Sequence, residues 1–365
     1  MSSSVTTQGF ILSQATVAER HQIWEATFVH WGTALSLEDY IGREEHNLKA
    51  PLSKDGGLTQ WILTDDSPKD RRPIFSACET YRKRALIANR DGVVRDAITY
   101  GIASVFTPPR HGGKGHAKKL MTLLARQLRA TSNFSVLWSD IGPKYYHAVG
   151  WKPVKNAYLR LAASHSTTEN DPNLRSLIDS DIPSLVEEDQ QRLRQQLERP
   201  SSKVRTLILP DRDTIQWHLY RENYMCQKTL GRVPSVRGVL WTSPTDADSK
   251  IRAIWTRNFS GKEPEKNIVH VIRLSIDKED IADKDLADGF KAIGKFIQTD
   301  AQSWSCGHIE IWNPEERLKR AALSVEELGA EFIVREHEHL ASLQWYGQED
   351  VDDIDWVCNE GFAWC

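Results

Sequence analysis

The sequence is poor in cysteine and in net charge, and it has no long apolar run. Each shortage excludes something. Its five cysteines (Cys78, Cys226, Cys306, Cys358 and Cys365) are odd in number and widely spaced along 365 residues. No C-x-x-C or similar ligand spacing occurs, so neither a disulfide framework nor a zinc or other metal site is predicted. The net charge is −3, from 47 Lys and Arg against 50 Asp and Glu. That balance gives no general attraction to nucleic acid or to an anionic membrane, and neither is predicted as a partner. No run approaches the roughly 20 apolar residues of a membrane span. The opening Met1-Ser2-Ser3-Ser4-Val5 lacks a basic segment followed by an apolar one, so no secretory signal is read there. Together these absences predict a soluble cytoplasmic protein with free thiols. Two familiar phosphate loops are missing as well. A P-loop needs Gly-Lys followed by Ser or Thr, but Lys114 is followed by Gly115. A dinucleotide fingerprint begun at Gly113 and Gly115 would need glycine where Lys118 stands.

What is present suffices for a folded protein of two units, with 40% hydrophobic residues. Apolar residues at helical spacing (Ile23, Trp24, Phe28, Trp31) predict a helix over 17–31, and a second is expected over 37–46. Strands are expected over 59–64, 74–80, 85–88, 98–106 and 134–138, and 157–161 reads as the last strand of the first unit. The polar, proline-containing stretch from Ser164 reads as a linker. Beyond it, helices are expected over 181–199, 211–229 and 286–299, with strands over 238–241, 251–255, 269–274 and 308–312. The expected division is therefore residues 1–163, a linker at 164–175, and 176–365. The fold class is α+β. The first unit has a mixed, mostly antiparallel sheet with flanking helices. The element order of the second is compatible with a degenerate copy of the same fold. Eight of thirteen tryptophans lie from Trp217 onward; most are expected in the core.

One stretch carries chemistry. Thr107-Pro108-Pro109-Arg110-His111-Gly112-Gly113-Lys114-Gly115-His116-Ala117 sits between a strand-like run ending at Phe106 and a helix-like run beginning at Lys118. Glycines let a backbone approach a ligand closely, and the free N–H groups of a helix start favour an anion. A second stretch, Leu137-Trp138-Ser139-Asp140-Ile141-Gly142-Pro143-Lys144-Tyr145-Tyr146-His147-Ala148-Val149-Gly150-Trp151, reads as a strand end, a short helix opened by Pro143, and a glycine stop.

In this order and separation the two stretches resemble the GCN5-related N-acetyltransferases, whose pyrophosphate loop follows V-x-P-x-x-[RQ]-G-x-G-x-[GA]. One register sets Arg110 at the Arg position. The preferred register sets Gly112 there, followed by Gly113, Gly115 and Ala117, and puts Pro109 on the family's proline and Leu120-Met121 on its aliphatic pair. Gly112 departs from the pattern, which removes a side-chain contact but keeps the amides. Tyr146, Gly150 and Trp151 fit the family's Tyr-x-x-x-Gly-Phe, with Trp for Phe. The Val-Phe-Thr-Pro-Pro run, the Gly-Lys-Gly-x-Ala turn and the tryptophan-rich second half are further similar to fungal L-lysine N6-acetyltransferases of lysine degradation.

The resemblance implies acetyl-coenzyme A as co-substrate. It would lie on Gly112, Gly113, Lys114, Gly115, His116, Ala117 and Lys118, with its pantetheine arm along Val105, Phe106 and Thr107. It implies Tyr146 as the acid that reprotonates the thiolate, and a small primary amine as acceptor, the lysine side chain first among them. A protein or peptide N-acetyltransferase and a non-catalytic acyl-coenzyme A sensor are the alternatives. For the base, Asp140 at the end of its strand and the Cys365 carboxylate are candidates; Asp140 reads equally well as a helix cap, and the apolar Phe362-Ala363-Trp364-Cys365 as a packed tail. Oligomeric state is not legible.

Overall fold

The computed structural model describes residues 5–7, 9–164 and 171–365. The reading of Met1–Ser4 and residues 165–170 of the expected linker lie outside the described residues. In chain order the strands of the first half are β1 (Val5–Thr7), β2 (Phe10–Gln14), β3 (Leu58–Thr64), β4 (Ser76–Ala88), β5 (Val94–Phe106), β6 (Phe134–Ser139), β7 (Lys152–Pro153) and β8 (Ala157–Ala162). Those of the second half are β9 (Leu174–Leu177), β10 (Val204–Ile208), β11 (Gly238–Thr242), β12 (Lys250–Asn258), β13 (Ile268–Ile276), β14 (His308–Trp312), β15 (Glu331–Val334), β16 (Leu340–Trp345) and β17 (Ile354–Trp356). The helices are α1 (Val17–Trp31), α2 (Leu37–Asn47), α3 (His116–Arg129), α4 (Lys144–His147), α5 (Ile182–Leu197), α6 (Arg212–Leu230), α7 (Asp283–Ser303) and α8 (Glu316–Ser324). None among the described residues is long and apolar enough to cross a membrane.

Local chemistry explains the helix starts. Thr16 and Glu19 form a reciprocal capping box at α1, and Ser36 and Asp211 cap α2 and α6 by accepting from Asp39 N and Thr214 N. Helix α3 buries Leu120, Met121, Leu123, Leu124 and Leu128 against the first sheet. This stripe fixes the helix on the sheet and aims its N-terminus past the strand ends.

The fold is α+β with two mostly antiparallel sheets. Among the described residues the first has ten strands, in the order β1-β2-β3-β4-β5-β6-β16-β7, with β10 beside the far end of β4 and β17 beside β10. The second has seven, in the order β15-β8-β14-β13-β12-β11-β9. The halves therefore exchange strands. β16, from the far end of the chain, pairs Leu340↔Ser139 through Trp345↔Phe134 along β6. In the other direction β8, expected as the last strand of the first unit, pairs β14 and β15. The reason is burial: Leu159 and Leu161 pack into the core under α7 in the second half.

The expected strands at 74–80 and 85–88 are one continuous strand, β4. The run Arg82-Lys83-Arg84 hid this. Arg82 and Arg84 point to solvent, while Lys83 is buried and finds carbonyl partners described below.

Candidate active site

Strands β5 and β6 run parallel and pair only from Thr99↔Phe134 to Ile102↔Leu137. Both continue, to Phe106 and Ser139, but diverge. Strand β5 stays with β4 as far as Ala77↔Phe106, through a register shift between Ala77 and Glu79. Across that irregularity Ser104 adopts φ 53°, an uncommon conformation for a residue with a Cβ. The edge of β5 facing β6 is thus unpaired by it beyond Ile102, and an open strand edge can take up the amides of an extended ligand. The gap lies at the carboxyl ends of two parallel strands, where α/β sheets place their ligands.

The glycine loop stands at the end of β5. Residues Pro109–His111 make a single 3-10 turn, which consumes the Gly112 amide by donation to Pro109 O at 3.0 Å. Gly113 and Gly115 have φ 71° and 75°, and a Cβ on either would meet nothing within 4 Å. Open space above a left-handed glycine pair, directly before a helix, is what a phosphate cradle requires. Helix α3 has no side-chain cap and no acid in its first turn. Lys114 and Lys118 are exposed beside it. His116 contributes only its backbone: its ring is buried, stacked on Phe75 with centroids 5.0 Å apart, and burial lowers its pKa.

Beyond the splayed strands lies a cavity of about 630 Å³. Val105, Phe106, Thr107, Asp140, Tyr146 and Cys365 all line it; residues 112–118 do not, and stand outside it past Thr107. Trp24, Trp31, Tyr40, Arg43 and Glu44 come from α1 and α2. The second half lines the other side with Trp217 and Arg221 of α6, Asn258 at the end of β12, Phe259 and Ser260 after it, His339, and Trp364.

The titratable groups in this cavity differ sharply. Tyr146 is buried, and burial followed by Tyr145 pushes its hydroxyl well above the ordinary range, so it stays protonated at neutral pH. Its neighbour Tyr145 packs at right angles to it, with centroids 5.2 Å apart, and does not line the cavity. Glu79 is pushed up to about 7 by burial and then by the charge of Glu44. It accepts a hydrogen bond from Ser104 Oγ at 3.1 Å. Glu44 is held by Arg43 Nε at 2.9 Å. Asp140 is exposed, with its Oδ1 accepting from the His339 amide at 2.9 Å. Cys365 is a neutral thiol, raised to about 11 by burial.

Lys83 anchors the tail. Its buried ammonium donates to the carbonyls of Phe362, Ala363 and Trp364 at 3.4, 2.8 and 3.0 Å. The His218 ring also contacts Phe362 O at 3.0 Å. Gly101 leaves room for this docking, since a Cβ there would sit 2.7 Å from Cys365 Sγ.

Sequence reasoning missed Glu79, Glu44, Lys83 and Arg221. A signal existed for two of them. Glu79 and Lys83 lie four apart in a strand, hence on one face with Ala77, Tyr81 and Ala85, and charges on an otherwise apolar strand face are rare without a task. Glu44 and Arg221 reach the site through tertiary packing alone.

Comparison with known proteins places the chain in a family. The family described as the LYC1 GNAT-like C-terminal domain matches residues 158–365. A lysine acetyltransferase of Yarrowia lipolytica is 25% identical over 258 residues, 58% of this chain and 64% of that protein, so the match spans less than two thirds of the relative. The uncharacterized protein YGR111W of Saccharomyces cerevisiae is 23% identical over 381 residues, 92% of each chain. The solved GCN5-related N-acetyltransferase of Anabaena variabilis shares the fold, with TM-score 0.51 and 12% identity, covering 93% of this chain and 73% of that one. Since the family match takes in the whole second half, the strands it lends to the first sheet included, the chain belongs to the LYC1 GNAT-like family of the GCN5-related N-acetyltransferase superfamily.

Proposed function

We propose that this protein transfers the acetyl group of acetyl-coenzyme A to a small primary amine, with the side-chain amine of L-lysine as the leading acceptor. The observation that carries this reading is the convergence of an unpaired strand edge, Tyr146 and a buried carboxylate on one cavity beside the glycine loop. The wall that the second half adds to that cavity favours a small acceptor over an extended peptide. The relative named a lysine acetyltransferase supports lysine.

The amides of Gly113 to Lys118 hold the pyrophosphate, with Lys114 and Lys118 adding charge. Each such helix-end interaction is worth roughly 0.3–1 kcal/mol at an exposed site, so several act together. Val105 to Thr107 offer their free edge to the pantetheine arm. A free lysine amine has a pKa of about 10.4 and must lose a proton before it attacks. Glu79 takes that proton, since a carboxylate near 7 is a matched base at neutral pH. The amine nitrogen bonds to the thioester carbonyl carbon, the C–S bond breaks, Tyr146 gives its proton to the leaving sulfur, and the second proton lost by the nitrogen passes through water to the Tyr146 phenolate, leaving a neutral amide. Asp140 and the Cys365 carboxylate are the competing bases, tested by Asp140→Asn and by adding one residue after Cys365; full activity in either variant removes that candidate.

The experiment is free coenzyme A release with L-lysine, other amino acids, polyamines, aminoglycosides and a histone-tail peptide. Turnover confined to lysine supports the reading, and turnover with another amine replaces the acceptor. Tight acetyl-coenzyme A binding without turnover supports a sensor instead.

A further inference from the structure

The cavity wall supplied by α6 holds an arginine without an acid. Three buried guanidiniums elsewhere among the described residues meet carboxylates. Arg237 and Arg257 share Glu222 at 3.0 and 2.9 Å, and Arg273 meets Asp189 at 2.7 Å. Arg221 precedes Glu222 on the same helix but turns into the cavity. Its contacts are Asn258, with Nη1 3.4 Å from Oδ1, and the Trp364 ring, 5.7 Å from Cζ. Among the described residues no carboxylate lies within ion-pair distance of it. Burial, then the like charge of Arg43, lowers its pKa to about 10. A half-buried guanidinium without a carboxylate partner has unused donors for an anion, and its planar fork matches a carboxylate with two parallel N–H bonds.

We propose that Arg221, beside Asn258, binds the free carboxylate of the acceptor. The acceptor is then an amino acid with a distal amine, not a polyamine, an aminoglycoside or a lysine inside a peptide chain. This rests on the acetyltransferase reading and divides the acceptor between two groups of the cavity lining. The guanidinium on the second-half wall takes the carboxylate, and Glu79 takes the ammonium.

The test compares L-lysine, L-lysinamide and 1,5-diaminopentane as acceptors of the full chain and of Arg221→Met. In the wild type, KM for lysine is expected to be about 10- to 100-fold below the other two, the worth of a hydrogen-bonded charge pair. In Arg221→Met that preference collapses, KM for acetyl-coenzyme A stays unchanged, and Arg221→Lys falls between. Equal use of the three acceptors by the wild type needs no variant to read, and it overturns the proposal while leaving the acetyltransferase reading intact. So does a preference that survives in Arg221→Met. If no amine turns over, the acetyltransferase reading fails, and calorimetry with 6-aminohexanoate decides Arg221 alone. Binding that Arg221→Met abolishes upholds the carboxylate site; binding that it leaves unchanged, or no binding by the wild type, overturns it.

Discussion

The two halves contain the same strand–helix–strand unit, and their helix starts are chemically opposite. In the first, β5, α3 and β6 form a parallel strand–helix–strand unit whose strands part after Ile102 and Leu137. In the second, β13, α7 and β14 do the same, pairing from Ile268↔His308 to Val271↔Ile311 while β13 continues to Ile276. Each unit carries a register shift on the preceding hairpin, at Ala77/Glu79 and at Ile254/Trp255. A cavity of about 330 Å³ lies beside the second splay. The loops differ. Where the first has Gly-Gly-Lys-Gly, the second has Asp277-Lys278-Glu279-Asp280-Ile281-Ala282, with no glycine. Asp277 meets Arg252 at 2.6 Å, and Glu279 meets Arg199 at 2.8 Å. Asp283 and Asp285 fill the first turn of α7, satisfying its positive end with the chain's own acids. The fold makes a cleft in each half; the residues at the helix start give the first glycines and lysines and the second paired acids.

The largest effect should come from making the first loop like the second. Gly115→Asp puts a carboxylate at the helix start, in a left-handed conformation that Asp tolerates better than most residues. Acetyl-coenzyme A affinity, read by calorimetry, is expected to fall about 100-fold or more. Affinity close to wild type would move the pyrophosphate elsewhere. The wild-type titration should also give one acetyl-coenzyme A per chain; a second equivalent would show that the acidic loop does not disable its cleft.

Next in size is Tyr146→Phe, expected to lower kcat about 100-fold or more with little change in coenzyme affinity. Glu79→Gln should cost a similar or smaller factor and change the pH profile. Glu79 is protonated below about 7, so wild-type activity should rise as pH increases through 7, and the variant should lose that limb. A limb retained in Glu79→Gln assigns the titration to another group. Smaller again is Lys83→Met. It leaves the tail carbonyls without their buried donor, at a cost of about 1–3 kcal/mol per unsatisfied group, measured by chemical denaturation. Unaltered stability would mean that water replaces the ammonium.

The sequence was most legible where the signal is local. The glycine loop, the helices at 17–31 and 211–229 and the strand before the loop follow from spacing and capping within a few residues. Glu79 was invisible as a base because its pKa depends on Glu44, Ser104 and burial, none of which is local to it. Arg221 looked like one more charge on an amphipathic helix; what sets it apart is that no carboxylate among the described residues pairs with it. Strand β8 was assigned to the wrong sheet because an alternating apolar pattern says which face is buried, not against which core.

Strand exchange also has a consequence in time. While the chain is being synthesised, residues up to Ser139 leave the ribosome with β6 lacking the neighbour it will have at β16. The second sheet, in turn, needs β8 from the earlier half. Neither sheet reaches its final edges until almost the whole polypeptide has emerged. Long-range pairings of this kind form slowly and leave strand edges exposed meanwhile. A nascent chain that has exposed its glycine loop thus has no finished acceptor cavity behind it, and chaperone protection of the waiting β6 edge is the expected requirement for high yield.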